Sequence, residues 1–126
     1  MKPGAVTGAI VFCAAVTLSA HHGQAGIFDE SRIVELKGTV KEWRFINPHP
    51  ILVLEAPDEK GVRGEWDIYF GPGATPSLRR QGFAADTFTV GETVVVKGHP
   101  ARIGAPGVDV LGKGTGVTRA DGRSVP

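Results

Sequence analysis

The chain contains four histidines, and they are the side chains whose type and position first suggest chemistry. His21 and His22 are adjacent near the N-terminus, whereas His49 and His99 are each followed by a proline. Imidazole is a suitable ligand for zinc, copper, iron and nickel. These four residues are therefore the candidate metal ligands.

The paired histidines gain a second ligand atom if a leader is removed after Ala20. His21 would then carry a free α-amine, which can lose its proton to a metal near neutral pH and form a two-point chelate with its own ring. Adding His49 or His99 would give three or four nitrogen ligands, a set that favours Cu(II) or Ni(II), with copper first on affinity. Met1 and Cys13 are the only sulfur-containing residues, so a soft Cu(I) site is not expected.

Each histidine also has a simpler interpretation that the sequence leaves open. His49 lies between two prolines and could be a turn residue that hydrogen-bonds its own backbone. His99 follows a predicted strand and could be a satisfied residue at the barrel rim. His21 and His22 could belong to a terminal extension that binds nothing.

Three other residues complete the candidate binding set, namely Asn47, Trp66 and Arg79. Asn47 belongs to the turn that carries His49. Trp66 could stack on a ligand, although its place in an alternating strand favours core packing. Arg79 belongs to a basic pair with Arg80, which could bind an anion or form the solvated face of a helix.

Composition and motifs argue against several classes of function. The formal net charge of +1 does not suit a protein that binds nucleic acid through its electrostatic field. The sequence contains no Walker or Rossmann fingerprint, no G-x-S-x-G motif and no Cys–His pair. We therefore expect a non-enzymatic protein.

The first twenty residues resemble a secretory signal peptide. Lys2 is followed by an uncharged stretch over residues 5–20 that contains Cys13. That stretch is short for a membrane span, although an uncleaved anchor is the alternative. Cleavage after Ala20 is favoured and cleavage after Ala25 is the second choice, so we expect a periplasmic or secreted protein with no membrane span after processing.

The rest of the chain predicts one small all-β domain. The 126 residues include 18 Gly and 9 Pro, a density that breaks long helices. Short apolar stretches alternate with turn signals, and a change of phase in the first stretch predicts a bulge near Lys41-Glu42. The predicted strands are 32–46, 51–55, 65–70, 93–97 and 108–111, with a helix over 75–82 between the third and the fourth.

This order matches a five-stranded Greek-key barrel of OB type, with an open β-sandwich as the alternative. We assign residues 1–20 to the signal peptide, 21–31 to an N-terminal extension and 32–126 to the barrel. In an OB barrel the loops after strands one and four build the usual ligand site. His49 lies in the first loop and His99 at the start of the second, so the topology predicts that they approach each other.

The chain contains the motifs His21-His22, Gly38-Thr39-Val40, Asn47-Pro48-His49, Leu78-Arg79-Arg80-Gln81-Gly82-Phe83 and His99-Pro100. Together these motifs resemble those of a family of small exported bacterial proteins of unknown function. The resemblance implies export and a single β-domain, and it implies no catalytic activity. The family has Ser after the paired histidines, where this chain has Gly23-Gln24.

Two hypotheses of function follow from these observations. The first is a barrel that binds a metal, copper first, or a small ligand through His49 and His99, with His21 and His22 as further ligands. The second is a structural or interaction module that contacts another protein of the cell envelope without a metal.

Overall fold

Six strands and one short helix make up the part of the chain that the computed structural model describes, which is residues 26–72, 74–103 and 106–126. The predicted signal peptide, with its cleavage site, and both His21 and His22 lie outside the described residues. The elements are β1 (Val34–Arg44), β2 (Ile51–Pro57), β3 (Arg63–Tyr69), α1 (Ala74–Arg80), β4 (Thr93–Pro100), β5 (Gly107–Asp109) and β6 (Gly116–Arg119).

Five of these strands close into a barrel. Their order is β1-β2-β3-β5-β4, and β1 also pairs with β4 to complete the circle. β3 and β5 are parallel, whereas the other neighbours in the barrel are antiparallel. With α1 between the third and fourth strands, this architecture confirms the predicted OB-like barrel.

The long first strand belongs to both halves of the barrel. Its residues from Val34 to Thr39 pair with β4, and those from Thr39 to Arg44 pair with β2. The register with β2 shifts between Val40 and Glu42, which confirms the predicted bulge. Because one inserted residue reverses the alternation of side chains, the bulge turns Trp43 towards the core.

Gly38 lies close to the point where β1 passes from one neighbour to the other. A Cβ atom added there would lie 2.7 Å from the Glu55 carbonyl oxygen and 2.9 Å from the Ala56 Cβ. Real Cβ atoms do not approach backbone so closely, so glycine is what lets β1 and β2 come together at this point.

Alternate positions of the strands fill the barrel with aliphatic side chains. Val40, Leu54, Val94, Val96 and Val108 have no exposed surface at all. The helix end of the barrel is closed by aromatic and aliphatic residues, including the buried Phe83 and Phe88, as predicted. These closing residues are Trp43, Phe70, Leu78, Phe83, Phe88 and Val125.

The structure corrects the sequence prediction around β4. The strand continues through Gly98 and His99 to Pro100, where a loop was expected from 98 onwards. Glycine and proline were taken as loop signals, but a Cβ at Gly98 would collide with the Asp109 carbonyl oxygen and the Val108 side chain. Gly98 therefore permits close strand packing instead of ending the strand.

Smaller differences concern the ends of elements and one additional strand. The helix begins at Ala74, and the fifth strand is Gly107–Asp109 instead of 108–111. β6 was not predicted, and it pairs with β4 at residues Val94–Lys97. Among the described residues, no helix combines the length and the apolar character needed to cross a bilayer.

Candidate functional site

His49 lies exposed in the loop between β1 and β2, and α1 holds that loop in place. The Thr75 backbone N–H donates to the Pro48 carbonyl oxygen at 3.2 Å, and the Thr75 hydroxyl donates to the Ile46 carbonyl oxygen. Asn47 is also exposed, and its peptide bond to Pro48 is cis. Two hydrogen bonds from one fully buried threonine thus fix the loop that presents the His49 imidazole.

A recess of about 370 Å³ lies beside His49, where β2 begins and β3 ends. Its walls are mostly apolar, and the His49 imidazole and the Tyr69 phenol are the ionisable side chains among them. The residues that line it are His49, Pro50, Ile51, Tyr69, Phe70, Gly71 and Ala74.

The segment that precedes β1 pairs with the chain just after β4, through a bridge between Phe28 and Ala101, and it contacts Tyr69. The Asp29 N–H donates to the Pro100 carbonyl oxygen and the Arg102 N–H donates to the Ile27 carbonyl oxygen, both at 2.9 Å. Phe28 is only 3% exposed, and its ring centroid lies 5.3 Å from that of Tyr69. Tyr69 therefore joins the N-terminal segment to the wall of the His49 recess.

His99 lies within β4 and not in the loop after it, and it is only 8% exposed. Its Nδ1 is 2.7 Å from the Arg32 carbonyl oxygen. Because a carbonyl oxygen only accepts hydrogen bonds, the Nδ1–H is the donor, and Nε2 takes no part in this hydrogen bond. His99 thus fastens the N-terminal segment to β4.

Asp109 lies opposite His99 in the neighbouring strand β5 and is only 4% exposed. Its Oδ1 accepts the Gly71 N–H at 3.1 Å. Burial raises the pKa of the Asp109 carboxyl, and the hydrogen bonds from Gly71 and Leu111 and the proximity of His99 oppose that rise. The sequence prediction missed this carboxylate, although an aspartate within an apolar strand is a signal for a buried polar contact.

The described residues contain no group of three or more His, Cys, Asp or Glu side chains arranged to hold a metal ion. A complete site would therefore need ligands from outside this part of the chain, and His21 and His22 are such residues. Metal binding by His49 and His99 stays a prediction.

Arg79 and Trp66, two of the remaining candidates, lie in different places. The Arg79 guanidinium carbon is 5.5 Å from the centre of the Phe45 ring, so this exposed side chain makes a cation–π contact. Trp66 is partly buried and packs against the core, and its Nε1–H donates to the Ala56 carbonyl oxygen at 3.2 Å. Neither residue lines the His49 recess.

The fold and the recess define the class of this protein as a small OB-like barrel with an exposed histidine loop at one end. The chain belongs to a family of unknown function, DUF6152, whose family model matches residues 9–109. The resemblance to an uncharacterised family is thereby confirmed. No curated protein and no solved structure matches the chain.

Proposed function

We propose that this protein is an exported, non-enzymatic binding protein that holds Cu(II) through His49 and the N-terminal pair His21 and His22. One observation carries the proposal. The exposed His49 imidazole lies at a recess whose wall includes Tyr69, and the N-terminal segment packs on that same tyrosine through Phe28.

Chain length supports this assignment. Six residues of sequence lead from His22 to Phe28, and an extended chain of that length spans up to about 20 Å. Because Phe28 packs beside the His49 recess, the paired histidines have enough chain to reach it.

The donor set favours copper over other metals. Processing after Ala20 would give His21 a free α-amine, so the site would offer this amine and up to three imidazole rings. A tetragonal set of nitrogen ligands suits Cu(II), which also leads the divalent metals in affinity. The recess contributes no thiolate or thioether among its lining residues, so the proposal is specific to the oxidised ion.

His99 takes a supporting role in this proposal. Its Nδ1–H is committed to the Arg32 carbonyl oxygen, and this contact holds the segment that carries the paired histidines. A ligand set made of His21, His22 and His49 therefore depends on His99 for its position and not for a bond to the metal.

Calorimetric titration with Cu(II) tests the proposal on a chain that begins at His21. We expect His49→Ala to weaken binding at least about tenfold, and acetylation of the His21 α-amine to weaken it similarly because an amide nitrogen replaces the amine. The exposed Lys113→Ala serves as the matched control and leaves affinity unchanged. Micromolar or weaker binding that neither His49→Ala nor the acetylation alters would refute the proposal.

A specific observation favours the second candidate, an interaction module that contacts an envelope protein. Ile27 and Ile103 are 59% and 91% exposed, and the Arg102 N–H joins their two segments through the Ile27 carbonyl oxygen. A contiguous patch of exposed apolar side chains marks protein contacts, and this candidate requires Ile27 and Ile103 to form one. A photo-crosslinker at position 103 should then give one discrete adduct with an envelope protein. The Ile27→Asp variant should lose this adduct and the control Val90→Asp should keep it. If no adduct forms, this candidate function is wrong.

A further inference from the structure

The end of the barrel away from α1 contains a second recess of about 400 Å³, within the usual range for small-molecule sites. It lies where β1 begins and where β2 and β4 end. Its floor and walls are Val34, Leu36, Pro57, Trp66 and Pro100, and its rim is Arg32, Glu35, Asp58, Glu59 and Lys60.

Trp66 leaves part of a large aromatic ring uncovered in this recess. It follows the same alternation as the inward-facing Ile68, yet Ile68 is only 3% exposed while Trp66 is half-buried. The Nε1–H already donates to the Ala56 carbonyl oxygen. Because the single polar atom of the indole is satisfied, its contribution to the recess is hydrocarbon surface, which a flat apolar molecule can cover.

The acidic groups at the rim already have partners. Glu59 accepts a hydrogen bond from the Arg32 guanidinium at 3.2 Å, and Glu35 is 3.3 Å from the Lys97 ammonium. Asp58 accepts hydrogen bonds from backbone N–H groups of its own turn. An incoming cation would have to compete with these contacts.

Lys60 is the rim residue with an available charge. Within the described ranges, no carboxylate lies within ion-pair distance of its ammonium group. The turn around it is well defined, because the Asp58 Oδ1 accepts the N–H groups of Lys60 at 2.8 Å and of Val62 at 2.9 Å. Gly61 completes the turn with a φ of 79°. The backbone that carries Lys60 is thus held at the mouth of the recess.

We propose that this recess binds a small organic anion with a flat apolar body, which lies against Trp66 while its carboxylate faces the Lys60 ammonium. The floor supplies the apolar contact that gives affinity, and the unpaired cation selects the charge of the ligand. This site is separate from the His49 recess and needs no metal. The proposal of an anion site is therefore tested independently of the proposal of copper binding.

An NMR titration with three probes of the same shape tests the proposal: naphthalene-2-carboxylate, 2-naphthalenemethanol and 2-naphthylmethylammonium. We expect saturable shifts at Trp66 Nε1–H, Val34, Leu36 and Lys60, with the carboxylate at least about threefold tighter than the alcohol. Lys60→Gln should remove that preference, whereas Lys113→Gln should keep it.

Two further variants and outcomes complete the test. Trp66→Phe keeps an aromatic ring and should weaken all three probes together, with a folded spectrum as the check on integrity. An ammonium probe that binds as tightly as the carboxylate, or a charge preference that survives Lys60→Gln, overturns the selection of an anion. No saturable shift at these residues for any probe overturns the site itself.

Discussion

His99→Ala should release the N-terminal segment from the barrel while the barrel itself stays folded. The change removes the Nδ1–H bond to the Arg32 carbonyl oxygen, which contributes about 1 kcal/mol. It also empties the space of a side chain that is only 8% exposed, at a cost of about 2 kcal/mol. We therefore expect a loss of about 3 kcal/mol in the free energy of unfolding.

Two measurements separate a fastening role from a general loss of packing. Urea unfolding gives the total change, and amide hydrogen exchange locates it. The N–H groups of Asp29 and Arg102, which bond to Pro100 and Ile27, should lose protection much more than the amide of Val96 in the barrel. The exposed His49→Ala should change stability by no more than about 0.5 kcal/mol.

The result also bears on which histidines bind copper. Under our proposal, His99→Ala weakens Cu(II) binding only to the extent that the segment is released. If Asp29 and Arg102 keep their protection in His99→Ala while copper binding is lost, His99 is a ligand and the fastening role is wrong.

Three further predictions concern the scaffold. Gly38→Ala forces a Cβ to within 2.7 Å of a carbonyl oxygen and should lower the free energy of unfolding in urea by about 1–3 kcal/mol. Gly64→Ala has open space around it and should leave that free energy unchanged. Equal effects of the two variants would contradict the packing of β1 described above. Thr75→Val removes the hydroxyl that donates to the Ile46 carbonyl oxygen and should cost about 1–2 kcal/mol, with shifted amide resonances across the His49 loop; an unshifted loop would exclude this role. Burial raises the pKa of Asp109, so the contribution of this group to stability is present at low pH and is lost as pH rises through the folded-state pKa. Asp109→Asn should therefore gain stability relative to the unmodified protein between pH 4 and pH 7, and a constant difference across that range would show that the burial does not matter.

The fold followed from the sequence because the barrel depends on local signals. Alternation along each strand, the change of phase after Val40 and the proline and glycine around α1 are all visible without long-range information. They were enough to give the strand order, the bulge and the aromatic closure by Phe83 and Phe88.

The site followed less well because its contacts join residues distant in sequence. The sequence analysis placed His99 at the start of a loop because glycine and proline, here Gly98 and Pro100, are common in loops. In the structure Gly98 lies within β4, and its missing side chain allows β4 to pack closely against β5. Asp109 acquires its role only from burial by neighbouring segments, and the contact of Phe28 with Tyr69 depends on the path of the N-terminal segment. Contacts between residues so far apart in the sequence cannot be predicted from the spacing of neighbouring residues.

Paramagnetic broadening by Cu(II) tests the central claim most directly, on ¹⁵N-labelled protein that begins at His21. The proposal predicts that substoichiometric copper broadens the amides of His49, Ile51 and Leu52 and of residues 69–71 around the His49 recess before those of β6. Broadening confined to the first residues of the chain, with the His49 loop and Tyr69 unaffected, would show that His49 is not a ligand and would contradict the proposed function.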